Sequence, residues 1–268
     1  AEQSIAKLFL SGVLPGLVLA ASMMFVVHMC SVRRGYPTHA KATLVARLVA
    51  LRAAIPAMLT PFIIIGGKVF GWFTATEASV IAVLYALALS CIVYREVGVR
   101  QLAAAFTETA EMTGAILLCV GTASVFGWLL AFYQVPQFLL QAATAWQLGP
   151  LGAGLFIAGV FLVVGCFLDA IPAIIIVGTL LEPMAMASGL DPLHYALIGI
   201  VSLAFGLVTP PYGLRLLICC SIAKMRIADV MRDFLLFLLP CLIVLASIIA
   251  LPELYLWPVR LFGPALLE

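Results

Sequence analysis

Two apolar stretches decide the fold of this chain, and each is interrupted near its middle. Residues 159–183 read GVFLVVGCFLDAIPAIIIVGTLLEP, and residues 195–223 read YALIGIVSLAFGLVTPPYGLRLLICCSIA. About 20 apolar residues cross the hydrocarbon core of a bilayer, so each stretch is long enough to span a membrane. The interruptions, at residues 165–172 and 206–213, place glycine and proline where a spanning helix is normally most regular.

These interruptions predict two broken helices. Proline lacks an amide donor and its ring clashes with the preceding turn, so a straight helix cannot continue through Thr209-Pro210-Pro211. Backbone groups freed inside a membrane find partners only where protein buries them or where they line a wet cavity. A pair of broken helices near the midplane is typical of the substrate and ion site of a secondary transporter. Two ordinary proline-kinked helices are the alternative interpretation.

The composition places the whole chain in a membrane. Its 268 residues are 65% hydrophobic and 10% charged, whereas soluble domains are about 25% charged. A net charge of +2, without any Lys/Arg-rich run, argues against a nucleic-acid partner. The seven cysteines lack CxxC spacing, so neither a metal cluster nor a disulfide framework is predicted. HExxH and GxSxG are also missing from the sequence, and we therefore do not predict an enzyme.

The remaining apolar segments predict an all-α polytopic bundle. Single spans are expected at residues 5–32, 53–72, 76–94 and 234–252. Two amphipathic segments, 36–52 and 97–112, are expected to lie along the membrane interface. We divide the chain into a first transmembrane helix (1–32), a scaffold with the interfacial segments (33–112), a transport core (113–232), and a last transmembrane helix with its tail (233–268).

Residues 113–147 predict a re-entrant hairpin. A cluster of small and polar residues, Gly121-Thr122-Ala123-Ser124, lies inside an otherwise apolar run. A turn signal follows at residues 133–136, and a short apolar run continues to Trp146. Neither half is long enough for a comfortable span, which favours the hairpin; a kinked span is the alternative.

The distribution of Lys and Arg predicts the orientation. If the first span runs from outside to inside, ten basic residues fall inside and three outside, which satisfies the positive-inside rule. This arrangement puts the 113–147 hairpin on the cytoplasmic side and the C-terminus outside. The inside group is Arg33, Arg34, Lys41, Arg47, Arg52, Arg95, Arg100, Lys224, Arg226 and Arg232, and the outside group is Lys7, Lys68 and Arg260.

Five motifs resemble a known family, the large membrane subunit of TRAP (tripartite ATP-independent periplasmic) transporters. They run in order along the chain as SIAKLFLSGVLPG (4–16), FTATEAS (73–79), GCFLDA (165–170), GLDPLHYALIGI (189–200) and GLVTPPYGL (206–214). The resemblance covers the family's C-terminal half and the last helix of its first half. The chain has no initiator Met and begins without a signal peptide, so we expect it to be a fragment that lacks the N-terminal half.

The resemblance implies a function and a set of partners. Family members resemble elevator-type importers built from inverted repeats, located in the bacterial inner membrane. They use a sodium gradient, so Na⁺ is the implied coupling ion and no other cofactor is expected. They take small organic acids from a periplasmic substrate-binding protein, and they work with a small membrane subunit of four helices.

The resemblance also implies the site residues. Gly121, Thr122 and Ser124 match the family's hairpin tip. The first break is matched by Gly165 and Asp169, and the second by Gly206, Thr209, Pro210, Pro211 and Gly213. Unwound backbone carbonyls and hydroxyl groups supply the oxygen ligands that sodium prefers.

Arg215 departs from the family pattern, which usually has an uncharged polar residue at this position. An arginine inside a membrane segment is costly, so it needs a partner. A substrate carboxylate, Asp169, or lipid headgroups reached by snorkelling are the three candidates. Asp169 is itself a carboxylate in an apolar run, and it serves either the transport site or the cap of the helix that starts near Ile171.

We therefore expect the membrane subunit of a sodium-coupled importer of organic acids. An inactive half-length fragment or scaffold subunit is a second hypothesis. A related anion:sodium symporter that works without a binding protein is a third.

Overall fold

The computed structural model describes residues 5–36, 42–69, 71–145, 149–210 and 212–262, and their regular structure is entirely helical. Two π-helical turns, Leu89–Val93 and Ile174–Gly178, interrupt the α-helices. The α-helices are α1 (Ile5–Arg34), α2 (Leu44–Val69), α3 (Ala75–Ala88), α4 (Val99–Phe132), α5 (Val135–Ala145), α6 (Pro150–Gly165), α7 (Ala170–Ala173), α8 (Thr179–Ala187), α9 (Pro192–Gly206), α10 (Leu214–Ala223), α11 (Ile227–Ala250) and α12 (Pro252–Phe262).

Six helical runs in the described residues are long and apolar enough to cross a membrane. Two further apolar helices, α6 and α9, are shorter because each stops at a break. The prediction of an all-α polytopic membrane protein is thereby confirmed. The six runs are Lys7–Arg34, Leu44–Gly67, Thr76–Val93, Val99–Phe132, Ala170–Ala187 and Ile227–Ala250.

The core forms where α6 and α9 pack against α8 and α11. Ile157, Ile198 and Ile248 are completely buried there. Glycine brings α6 and α9 together, since a Cβ built on Gly199 would lie 3.0 Å from the Phe161 ring. Small residues allow such close helix packing in membranes, where burial from water does not drive association.

Charged side chains join helices at two places in the bundle. The Arg34 guanidinium makes a bidentate ion pair with Asp233, which joins α1 to the beginning of α11. Lys7, near the start of α1, lines a groove of about 310 Å³ together with Asp191 and Arg260. Arg34 belongs to the group predicted inside, and Lys7 and Arg260 belong to the group predicted outside.

The predicted division between an interfacial segment (36–52) and a span (53–72) is wrong for the described part. A single helix, α2, runs through both, with Pro56 and Pro61 inside it. Prolines are tolerated in membrane helices because neighbouring groups satisfy the freed carbonyls. Separately, the Pro56 carbonyl accepts a hydrogen bond from the Tyr85 hydroxyl, which joins α2 to α3. Residues 37–41 lie outside the described residues.

The hairpin predicted at residues 113–147 has its tip at a different position in the structure. Its turn lies at residues 133–134, as the turn signal indicated, with Gln134 in the left-handed region at φ 56°. However, α4 continues unbroken from Val99 to Phe132, so a separate interfacial helix at 97–112 and a hairpin tip at residues 121–124 are both wrong. The polar residues of the expected tip do not break α4 because their hydroxyls bond to carbonyls of the preceding turn.

Candidate substrate and ion site

The first break follows the end of α6 at Gly165. Residues 166–169 are not helical, and the amide of Leu168 folds back on the carbonyl of Val164 at 2.8 Å. Asp169 then takes the N-cap position of α7 with an extended backbone, but its side chain makes no capping hydrogen bond. The carboxylate is exposed, so capping does not account for an acidic residue in this apolar run.

The second break follows the end of α9 at Gly206. The Thr209 amide donates to the carbonyls of Phe205 (3.1 Å) and Gly206 (2.9 Å), which tightens the chain as it leaves the helix. Helix α10 begins at Leu214. The Arg215 amide reaches back to the Leu207 carbonyl at 3.2 Å, so the start of α10 lies against the break. Pro211 lies outside the described residues.

The two breaks meet at a pair of glycines. A Cβ built on Gly165 would lie 3.0 Å from the Gly206 Cα and 2.9 Å from the Leu203 carbonyl oxygen. A Cβ on Gly206 would lie 2.6 Å from the Leu162 carbonyl oxygen and 2.9 Å from the Gly165 Cα. Real Cβ atoms do not approach backbone so closely, so only glycine fits at either position. The two predicted breaks therefore form a single structure.

Two side-chain contacts join the loops beyond the glycines. The Cys166 thiol, which is buried, points at the Pro210 carbonyl oxygen at 3.7 Å. The rings of Phe167 and Tyr212 are 5.5 Å apart and tilted by 52°. These contacts join the two breaks, although Phe167 and Tyr212 themselves remain exposed.

Oxygen atoms converge at the start of α10. Gly213 has φ 29°, and a Cβ there would lie 2.8 Å from the Val208 carbonyl oxygen and 2.9 Å from that of Thr209. Within the described part of the chain, neither carbonyl accepts a hydrogen bond. The Thr209 hydroxyl donates to the Phe205 carbonyl at 2.7 Å and keeps its own lone pairs as an acceptor. The second break therefore offers three oxygen atoms of the kind that bind a hard cation.

Comparison with known proteins decides the family. Residues 1–254 match the family model of the Tripartite ATP-independent periplasmic transporter, DctM component. The chain belongs to this family. The predicted resemblance to the TRAP large membrane subunit is confirmed.

Individual relatives match almost the whole chain. It is 37% identical over 98% of its length to YgiK of Salmonella typhimurium. It is 34% identical over 97% to the sialic acid TRAP transporter large permease protein SiaM of Vibrio cholerae, and 33% identical over 95% to the ectoine/5-hydroxyectoine TRAP transporter large permease protein UehC of Ruegeria pomeroyi. These alignments cover 60%, 61% and 59% of the relatives, so the chain spans about three-fifths of their length.

The third predicted group, Gly121, Thr122 and Ser124, lies on exposed positions of α4. Helix α4 packs against α7 and the π-helical turn at 174–178. However, the Thr122 hydroxyl donates to the carbonyls of Leu118 and Cys119, and the Ser124 hydroxyl donates to that of Val120. Both hydroxyls therefore bond inside their own helix, and no hydrogen bond joins them to a described residue of either break.

Arg215 is the second residue of α10, as the sequence predicted for the half-helix after the break. Its side chain is exposed. Among the described residues it forms no ion pair, and in particular none with Asp169. Of the three partners considered from the sequence, Asp169 is therefore excluded in this conformation.

Sequence reasoning missed one feature next to the first break. The π-helical turn at 174–178 follows α7, and the Tyr195 hydroxyl donates to the Gly178 carbonyl at 2.6 Å. Thr179, Glu182 and Tyr195 line a cavity of about 410 Å³ beside it. A tyrosine at the start of an apolar helix needs a hydrogen-bond partner for its hydroxyl, so Tyr195 in the sequence could have indicated a polar contact here.

Proposed function

We propose that the chain is part of the large membrane subunit of a sodium-coupled secondary transporter. In this proposal, the transporter imports small organic acids that a periplasmic binding protein delivers. The observation that carries the proposal is the contact between the two breaks at Gly165 and Gly206. Broken helices that meet inside a membrane protein are the usual construction of a transporter's binding site.

The second break supports sodium as the coupling ion. Sodium is a hard cation that favours oxygen ligands, and the carbonyl oxygens of Val208 and Thr209 each lie within 3 Å of the point where a Cβ on Gly213 would stand. The Thr209 hydroxyl oxygen is a third candidate ligand. We infer that these three oxygens take part in binding Na⁺, together with ligands from other parts of the complete transporter.

The start of α10 supports an anionic solute. The N-terminus of a helix carries a partial positive charge, which favours anions. Arg215 adds a guanidinium group whose planar donors suit a carboxylate. A cation at a helix N-terminus is unfavourable unless an anion lies near it, and no described carboxylate pairs with Arg215. We therefore propose that Arg215 holds a carboxylate of the transported acid.

The family supports the proposed partners and location. We propose a multi-pass subunit of the bacterial inner membrane that works with a small membrane subunit of four helices and a periplasmic binding protein. Because the relatives are longer, we also propose that an N-terminal half completes the subunit. The relatives carry different solute names, sialic acid and ectoine among them, so similarity alone does not name the solute.

Transport assays test this function directly. The complete transporter is reconstituted in vesicles, and uptake of a panel of labelled organic acids is measured with each candidate binding protein. We expect uptake that requires both an inward sodium gradient and the binding protein, without ATP. Uptake that persists after the sodium gradient is collapsed contradicts sodium coupling. Uptake without any binding protein favours the symporter hypothesis instead.

A further inference from the structure

An apolar groove of about 520 Å³ runs along α11 where this helix faces α1 and α9. The side of the groove formed by α11 extends from Val230 through Phe237 to Cys241. The other sides include Met23 of α1 and Phe205 of α9. Asp233 is the only charged residue in its lining. The groove is therefore suited to a hydrocarbon ligand.

The length of the groove matches one leaflet of a bilayer. From Val230 to Cys241, α11 advances by eleven residues, which is about 16 Å at the rise of an α-helix. The hydrocarbon core of a bilayer is about 30 Å thick, so one leaflet contributes roughly 15 Å. A lipid chain that enters at Val230 would fill the groove and end near the membrane midplane.

The Val230 end of the groove is basic. Asp233 at this end is neutralised by its ion pair with Arg34. Arg33 and Arg232 are adjacent in sequence to that pair, and both are exposed. The positive-inside count assigns this end to the cytoplasm. Basic groups beside a groove between membrane helices, on the cytoplasmic side, suit the phosphate of a lipid headgroup.

We propose that this groove binds a phospholipid of the cytoplasmic leaflet, with one acyl chain inside it and the phosphate held by Arg33 and Arg232. The one-leaflet length of the groove and its basic end match this occupant, and a helix from the rest of the subunit is the alternative that the tests below distinguish. Because Phe205 and Val208 line the groove, the bound chain contacts the second break from outside.

Native mass spectrometry of the complete transporter tests the headgroup site, with phosphatidylglycerol as the probe. The double variant Arg33→Gln/Arg232→Gln is expected to bind the lipid roughly thirty-fold more weakly, because two charges near the headgroup are removed. Arg95→Gln is the control, since Arg95 is exposed, is predicted on the same side, and follows the π-helical turn Leu89–Val93, which contributes no residue to the groove. Equal affinity of the double variant and the control overturns the proposal.

A matched pair of tryptophan variants tests the groove itself. Leu238 lines it, whereas the neighbouring Leu239 is 60% exposed on another face of α11. We expect Leu238→Trp to lose the lipid and Leu239→Trp to keep it. If Leu238→Trp does not fold, cryo-electron microscopy of the wild type in phosphatidylglycerol nanodiscs replaces this test. Chain-shaped density in the groove supports the proposal, and a protein helix or an empty groove there overturns it.

Discussion

Gly165 and Gly206 pack Cα against backbone at the point where the two broken helices cross. Gly165 is the last residue of α6, and Gly206 is the last residue of α9. A Cβ on either glycine would clash with the Cα of the other. The crossing fixes the two breaks side by side and brings the Cys166 thiol to the Pro210 carbonyl. The candidate site is thus built around a contact between two residues without side chains.

This contact predicts an asymmetric response to alanine. Gly206→Ala places a Cβ 2.6 Å from the Leu162 carbonyl oxygen, so the helices must separate. We expect a loss of about 1–3 kcal/mol in stability, as for other overpacked sites. Thermal unfolding of the purified transporter measures it. Gly159→Ala on α6 is the control, because no atom lies within 4 Å of its added Cβ. Equal melting temperatures for both variants would contradict the packing.

Thr209 tests the sodium site. Thr209→Val keeps the shape of the side chain and removes one candidate oxygen ligand. We expect the sodium concentration for half-maximal uptake to rise several-fold, with expression unchanged. Thr113→Val is a matched control, since the Thr113 hydroxyl also donates to the carbonyl four residues earlier, that of Thr109, but lies on α4, outside both breaks. An unchanged sodium dependence in Thr209→Val removes this residue from the site.

Arg215 tests the anion site. Arg215→Gln keeps a polar side chain but removes the charge at the start of α10. We expect uptake of the acid to fall about tenfold or more, as for the loss of one charge-assisted hydrogen bond. The transporter should still fold, because the side chain is exposed. Arg226→Gln, in the turn after α10, is the control. Wild-type uptake by Arg215→Gln would mean that the arginine only snorkels to headgroups.

Cysteine labelling tests the orientation. In a background without native cysteines, Ser188→Cys is expected to react with an impermeant reagent added from the periplasm, and Asp229→Cys is not. Ser188 follows α8 near the groove that Lys7 and Arg260 line, whereas Asp229 lies in the first turn of α11. Disruption of the cells should make Asp229→Cys reactive and thereby show that the site is accessible. The reverse labelling pattern contradicts the positive-inside assignment.

The sequence predicted both breaks because local chemistry produces them. Pro210 cannot continue a helix, and Gly213 takes a positive φ of 29° that glycine tolerates. Gly165 is the last residue of α6 and has no positive φ, so it marks the first break by its position alone. The contact between Gly165 and Gly206 could not be predicted, since it joins residues far apart in the chain. The glycines of α9, Gly199 and Gly206, nevertheless indicated that another helix could pack closely against α9.

The sequence was misleading where polar or helix-breaking residues were tolerated. Thr122 and Ser124 resembled a hairpin tip, but their hydroxyls find carbonyls within α4 and the helix continues. Residues 36–52 resembled an interfacial segment separate from the span at 53–72, but α2 runs from Leu44 to Val69 through both. The hydroxyl bonds inside α4 depend on the helix already being formed, so the sequence pattern of the segment does not show them.

The length of α4 has a mechanical consequence. Its 34 residues extend about 51 Å, about 21 Å more than the hydrocarbon core is thick. If α4 stands upright, about fourteen residues must project into water, and residues 99–112 carry its charges, Arg100, Glu108 and Glu111. Drawing these charges into hydrocarbon costs a few kcal/mol each. The free energy of these charges therefore opposes any movement of α4 that would draw residues 99–112 into the hydrocarbon.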